Sequence, residues 1–197
     1  MNQWWQMWRG YFTPDDCERI KTLGMSYRPQ EGTIGHGGTS KVDNHFRRST
    51  IRWVDRSRHN EDHAWLFHKV DHVFQASNAN AFNFNIAYFN DLQFTEYAEN
   101  NEGKYDWHED LTWTSNKPMQ RKLSFVAQLT PPEAYTGGNL QLDTGIMGGK
   151  DMAPGESDLR SLGTVIVFPS FLRHRVTPVE SGIRHSLVSW CLGSPFT

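Results

Sequence analysis

A mainly β domain is the fold class the sequence predicts, with N-terminal helices backing an antiparallel β-barrel or jelly roll. Three observations predict it. Short stretches alternating apolar with polar residues crowd the C-terminal half: AFNFNIAYF (81–89), LQFTEY (92–97), KLSFVAQL (122–129), NLQL (139–142), GTVIVF (163–168) and RHSLVSW (184–190). Gly- and Pro-containing turns separate these stretches, with no helical pattern between them, which argues against βαβ units. Helical spacing is confined to the residues ahead of them.

The elements follow in order. TPDDCERIKTLG (Thr13 to Gly24) opens with a capping threonine, then proline and acids, and ends in glycine, as a short helix should. From Tyr27 to Ser49 the chain is rich in Gly, Ser, Thr and Asn, the composition of a mobile loop or irregular edge hairpin. A second helix is expected from about Asp62 to Ala76, because Trp65, Leu66, Val70, Val73 and Phe74 repeat at three and four residues. Strands then fill the rest, interrupted by a long polar connection from Asp143 to Asp158. One domain, 1–197, is expected: residues 1–80 as helical and loop support, residues 81–193 as the β core.

Composition bounds the function. The 197 residues carry a formal net charge of −2, with 21% charged and 37% hydrophobic residues, the balance of a globular domain. Near-neutrality gives no global field for nucleic acid or acidic lipid, so neither is an expected partner. The two cysteines, Cys17 and Cys191, form no CxxC pair, which excludes a disulfide framework and a thiolate zinc site. The start reads WWQMW without a basic stretch or a long apolar run, and no segment has the roughly 18 apolar residues of a membrane span. A reduced, cytoplasmic setting is the expectation.

The chemistry starts at Tyr105-Asp106-Trp107-His108-Glu109-Asp110. On an extended chain His108 and Asp110 project from one face, two-thirds of a facial metal site. Alone, a HxD pair is as consistent with a solvated polar turn. His174 lies just beyond a buried strand broken by Phe-Pro-Ser, where the chain can swing back over the sheet edge. Ten residues on, Arg184 starts a strand sharing its face with Ser186, Val188 and Trp190. A cation on an apolar inner wall needs an anion, and no obvious buried acid is available, so a ligand carboxylate is a candidate. An arginine at a strand end reaching solvent or a loop acid is the plainer alternative. Two histidines and one carboxylate leave three metal positions open, the ligand set of non-haem Fe(II) oxygenases.

Three stretches carry a resemblance: YxxHxD at Tyr105 to Asp110, Gly-Gly-x-Leu at Gly137 to Leu140, and FPSFLRHRVTPVESGIRHSLVSW at Phe168 to Trp190. The last combines His-x-Val-x-Pro-Val, a ten-residue gap to Arg, and a Trp six residues further. With them, residues 81 to 193 resemble the Fe(II)/2-oxoglutarate-dependent dioxygenases, within them the prolyl 4-hydroxylase-like branch. The resemblance implies a double-stranded β-helix (jelly-roll, cupin-like) core, Fe(2+) held by His108, Asp110 and His174, and 2-oxoglutarate held by Arg184. Tyr97, Gln128 and Trp190 are the further co-substrate-binding candidates it implies. Gln128 stands where the family often places a tyrosine, and its amide can donate equally. The implied reaction consumes O2 and 2-oxoglutarate, releases succinate and CO2, and hydroxylates a prolyl or other peptidyl residue, with a peptide or protein as partner and ascorbate as an accessory reductant.

Other motifs carry less. His59, His63, His68 and His72 offer the HxxxH spacing of a metal site, but His68 and His72 fall opposite the apolar stripe of their helix and read as a solvated face. HEDLT lacks the second histidine of a zincin, HxE lacks the CxxC of a zinc deaminase, and GIMGGKD lacks the first glycine and the Ser/Thr of a phosphate loop. Arg47, Arg48, Arg52, Arg56 and Arg58 make a charged loop and strand edge, or, on a sharper reading, a lid or subsite for an acidic or polypeptide substrate. Two rival functions remain open: a metal-dependent cupin-like enzyme that does not use 2-oxoglutarate, and a non-catalytic jelly-roll module binding peptide or sugar.

Overall fold

The structure is a computed structural model and describes residues 4–35, 40–58, 61–111, 113, 118–145 and 155–196. Its regular elements run β1 (Gln6–Trp8), α1 (Pro14–Ser26), β2 (Gln30–Glu31), β3 (Arg47–Arg48), β4 (Thr50–Val54), α2 (Glu61–Ser77), β5 (Tyr88–Phe89), β6 (Leu92–Ala98), β7 (Lys104–His108), β8 (Gln120–Gln128), β9 (Tyr135–Gly137), β10 (Leu140–Leu142), α3 (Glu156–Arg160), β11 (Val165–Pro169), β12 (His174–Val176) and β13 (Val179–Gly193). A large sheet has the order β1-β11-β8-β13-β6-β4-β2, with β5 and β9 also pairing with β13. The small sheet has the order β10-β12-β7-β3. All pairings are antiparallel, and the two sheets form the double-stranded β-helix.

Two apolar layers follow from the period of two. Leu123, Phe125, Ala127, Val165, Val167, Leu187 and Cys191 point outward to meet α1 and α2. Val126, Ile166, Phe168 and Tyr97 point inward to Leu140, Leu142 and Val176 of the small sheet. Strand β11 is buried on both faces, which is why VIVF reads as a continuous apolar run. Helix α1 begins in a capping box: Thr13 Oγ1 accepts from Asp16 N, and Asp16 Oδ2 accepts from Thr13 N, each at 3.1 Å. Gly24 is required by close approach, since a Cβ there would run into the Phe94 ring.

Three features depart from the sequence reading. Residues 81–89 do not form a strand. The chain closes a π-turn over Asn78–Phe82, Asn83 takes a left-handed φ of 53°, and only Tyr88–Phe89 joins a ladder. Asn78 causes this by exchanging two side-chain hydrogen bonds with the Phe84 backbone, 2.8 and 2.9 Å long. The alternation is real, because Phe82, Phe84 and Ile86 pack inward, but it arises without strand pairing. Second, a short helix, α3, ends the connection Asp143–Asp158, where no helix is expected; residues 146–154, and with them most of GIMGGKD, lie outside the described residues. Third, the N-terminal segment supplies β1, β2 and β4 to the large sheet and β3 to the small one, besides its helices. Short strands such as QMW and RR carry too little pattern to be seen from sequence.

Candidate metal centre and cavity

His108 ends β7 and His174 opens β12, and the two are direct partners in the ladder, so their side chains leave the small sheet together. Asp110 follows two residues after His108 and is pinned beyond the strand end by Asp110 N to Ser170 O at 2.9 Å. One ligand atom from each of the three residues lies within 4.8 Å of the others. His108 Nδ1 meets the Asp106 carbonyl at 2.7 Å, and His174 Nδ1 meets the Leu172 carbonyl at 2.9 Å. A carbonyl only accepts, so both Nδ1 atoms carry hydrogen and both Nε2 lone pairs remain for a metal. They face Asp110, at 4.0 Å from His108 Nε2 and 3.5 Å from His174 Nε2. Ser124 Oγ donates to Asp110 Oδ2 at 2.7 Å and contacts Ser170 Oγ at 3.0 Å, fixing the carboxylate plane.

The protonation states suit metal binding. Burial and the neighbouring His174 push the His108 imidazole down to about 3, so it is neutral at physiological pH. Burial opposes ionisation of Asp110, but His174, His108 and Arg121 outweigh it and hold the carboxyl below the usual carboxylate range. Two imidazoles and one carboxylate suit a hard-to-borderline divalent ion such as ferrous iron.

A cavity of about 450 Å³ opens between the sheets, with the three candidate ligands on its wall and Arg184 in it. Arg184 is 1% exposed, and Nε, Nη1 and Nη2 all lack a hydrogen-bond partner among the described residues. A buried guanidinium with three unmet donors is costly, and a bidentate carboxylate meets that geometry. The 2-oxoglutarate anion therefore fits the residues present. Tyr97, the partner of Arg184 in the β6–β13 ladder, lines the same cavity, its ring 5.4 Å from the guanidinium carbon. The AENNEG connection from β6 to β7 closes in a tight turn over Glu99–Asn101. Gly138, at φ +59°, passes so close that a Cβ would stand 3.2 Å from Arg184 Cδ, which accounts for the Gly-Gly turn.

The remaining candidates are placed differently. Gln128 is buried beside Ser186 with Oε1 unpartnered, but it does not line the cavity. Trp190 lines the cavity at the Asp110 end rather than beside Arg184: six residues of strand, roughly 20 Å, separate them. Its indole N–H inclines toward Asp110 and favours the ionised carboxylate, short of a full hydrogen bond. His68 is exposed, and His72 packs against Trp8 and Tyr11, accepting or donating at 3.2 Å to the Tyr11 hydroxyl; His59 lies outside the described residues.

Sequence reasoning passed over Arg121 and left Arg47 unplaced. Strict alternation from Ser124 would turn Arg121 away from the cavity. A bulge at Lys122, where Cys191 pairs with Leu123 and Leu192 with Arg121, turns it back. Arg121 then lies over the Trp190 ring at 3.7 Å, with Nη1 3.7 Å from Asp110 Oδ1. Within the basic run, Arg47 reaches the cavity, stacked on Tyr105 at 4.4 Å, and Tyr105 in turn stacks on His108 at 3.5 Å. Arg48, Arg52 and Arg56 pair elsewhere with Glu102, Glu96 and Asp71.

The chain resembles known proteins in sequence and in fold. The family model of the 2OG-Fe(II) oxygenase superfamily matches residues 92–192. A PKHD-type hydroxylase from Hyphomonas neptunium is 39% identical over 72 residues, 36% of this chain and 29% of that protein. The chain thus matches less than a third of that relative's length. Among solved structures, a Pseudomonas putida prolyl-4-hydroxylase superposes with a TM-score of 0.67 at 18% identity, over 99% of this chain and 94% of the other. A prolyl hydroxylase in complex with a hypoxia inducible factor oxygen degradation domain peptide fragment, from Trichoplax adhaerens, gives 0.72 at 17% identity, over 96% and 84%. At such identities the likeness is one of fold.

Proposed function

The chain belongs to the 2OG-Fe(II) oxygenase superfamily, and on that premise we propose that it is an Fe(II)- and 2-oxoglutarate-dependent dioxygenase hydroxylating a prolyl or other peptidyl residue. The observation that carries the co-substrate reading is Arg184: buried, with three donors unmet, in the cavity that holds the His-Asp-His cluster. When bound, Fe(II) and 2-oxoglutarate supply the oxidative chemistry, coupling release of succinate and CO2 to insertion of one oxygen of O2 into a C–H bond.

The chain's own residues then have these roles. His108, Asp110 and His174 hold the metal, with Nε2 aimed by the carbonyls of Asp106 and Leu172 and the carboxylate aimed by Ser124. Arg184 anchors the far carboxylate of 2-oxoglutarate, and Tyr97 walls that end. Leu140, Val176 and Val126 supply apolar wall to the cavity. Peptide as the substrate class is supported by the peptide-bound Trichoplax structure. No described helix is long and apolar enough to cross a membrane. Two free, buried thiols support a reducing compartment, the cytoplasm, in which ferrous iron persists. We read residues 1–197 as one domain, with 1–80 supporting a core at 81–193.

Succinate formation tests the reading. Fe(II), 2-oxoglutarate and O2 with purified protein should yield succinate, and Asp110→Ala should abolish it. Turnover of another kind without 2-oxoglutarate would favour a cupin-like enzyme, and absence of any metal uptake would favour a binding module.

A further inference from the structure

The cavity holds more positive charge than iron and 2-oxoglutarate consume. Arg47, Arg121 and Arg184 all line it. Ferrous iron with Asp110 carries one net positive charge, and dianionic 2-oxoglutarate with Arg184 carries one net negative charge. Those charges cancel, leaving Arg47 and Arg121 over. Neither is neutralised elsewhere among the described residues. Arg47 donates Nε to Ser49 Oγ at 2.8 Å and Nη1 to the Thr33 carbonyl at 3.0 Å, both neutral acceptors, and has no acidic partner there. The acid nearest Arg121 is Asp110 at 3.7 Å, whose charge is already matched by the metal. Glu31 and Glu109, the cavity's other acids, are exposed, and Glu109 accepts from Trp113 Nε1 at 3.1 Å.

Both arginines stand beside the metal ligands, Arg47 through Tyr105 on His108 and Arg121 against Asp110. Partly desolvated cations held in fixed stacks are pre-organised for an anion. Resting on the Fe(II)/2-oxoglutarate reading, we propose that the primary substrate carries a carboxylate close to the carbon that is hydroxylated, and that Arg47 and Arg121 recognise it as specificity-determining residues. An Asp or Glu side chain beside the target residue in a peptide presents this group, and so does the α-carboxylate of a free amino acid.

The test is retention on protein loaded anaerobically with Fe(II) and 2-oxoglutarate, read by equilibrium dialysis and mass spectrometry. Four probes are offered: random blocked tripeptides bearing one Asp or Glu, the same pool with Asn or Gln, mixed free amino acids, and mixed amino acid amides. Carboxylate-bearing probes should be retained at least tenfold over their amides, and the pair showing the preference tells peptide from free amino acid. In R47Q and R121Q the preference should fall toward unity, while R47K and R121K retain most of it. Equal retention of acid and amide, retention of no probe, or a preference surviving in R47Q/R121Q would overturn the proposal. Failure of the wild-type protein to take up Fe(II) and 2-oxoglutarate, measured before any probe is added, would instead refute the function on which it rests.

Discussion

His108 and His174 face one another across the β7–β12 ladder, ring centroids 4.2 Å apart, each with Nδ1 bound to the carbonyl two residues before it. The same local turn-back thus orients both imidazoles from opposite strands, and both Nε2 atoms converge on Asp110. The candidate metal site is thus oriented by backbone geometry, and its supports are testable one by one.

Ser124 is fully buried and holds Asp110 Oδ2 at 2.7 Å. Removing a group that orients a ligating carboxylate typically lowers metal affinity about 10- to 100-fold. Ser124→Ala should therefore weaken Fe(II) or Co(II) binding by that factor in an anaerobic titration, with little change in far-ultraviolet circular dichroism.

Arg184 is a buried charge with no hydrogen-bond partner among the described residues. Arg184→Leu should then stabilise the ligand-free fold, on the order of 1–3 kcal/mol, by removing unmet donors. With metal present throughout, added 2-oxoglutarate should raise the unfolding midpoint of wild type and raise that of the variant far less. Urea denaturation with and without 2-oxoglutarate reads both effects.

Asp16 ties α1 to α2. Burial alone would raise its pKa, but the hydrogen bond from Lys69 at 2.8 Å and the Thr13 cap bring it below the ordinary aspartate value. A depressed carboxyl contributes stability that is present above its unfolded-state pKa, about 4, and is lost as pH falls toward the folded-state value. Asp16→Asn should thus destabilise the protein at pH 7 and match wild type in strong acid. Thr13→Ala should cost about 1 kcal/mol by uncapping α1, measurable by thermal unfolding.

Burial raises the Cys17 thiol to about 11 and the Cys191 thiol to about 12. Iodoacetamide at pH 8 should label neither in the folded protein and both in guanidinium, counted by intact mass.

What the sequence displays is whatever a short stretch determines by itself. His108 and Asp110 are legible because an extended chain puts i and i+2 on one face, and Arg184 because a cation sharing a strand face with Ser186, Val188 and Trp190 calls for an anionic partner. Arg121 was hidden, since its direction depends on a one-residue bulge opposite Cys191 and Leu192, which alternation cannot reveal. Arg47 could not be told from its neighbours until β3 paired Arg47 with Tyr105 in the small sheet. The segment 81–89 misleads for the opposite reason: Phe82, Phe84 and Ile86 alternate because they pack a surface, while Asn78 holds the backbone out of the ladder.

The central claim is that one cavity binds Fe(II) through His108, Asp110 and His174 and 2-oxoglutarate through Arg184. Anaerobic addition of Fe(II) and then 2-oxoglutarate tests it most directly, because chelation of ferrous iron by a 2-oxo acid produces a visible metal-to-ligand charge-transfer band. The band should saturate at one equivalent of iron, vanish in Asp110→Ala, and require far more 2-oxoglutarate in Arg184→Ala. No band in the wild-type protein, or an unchanged 2-oxoglutarate dependence in Arg184→Ala, would contradict it.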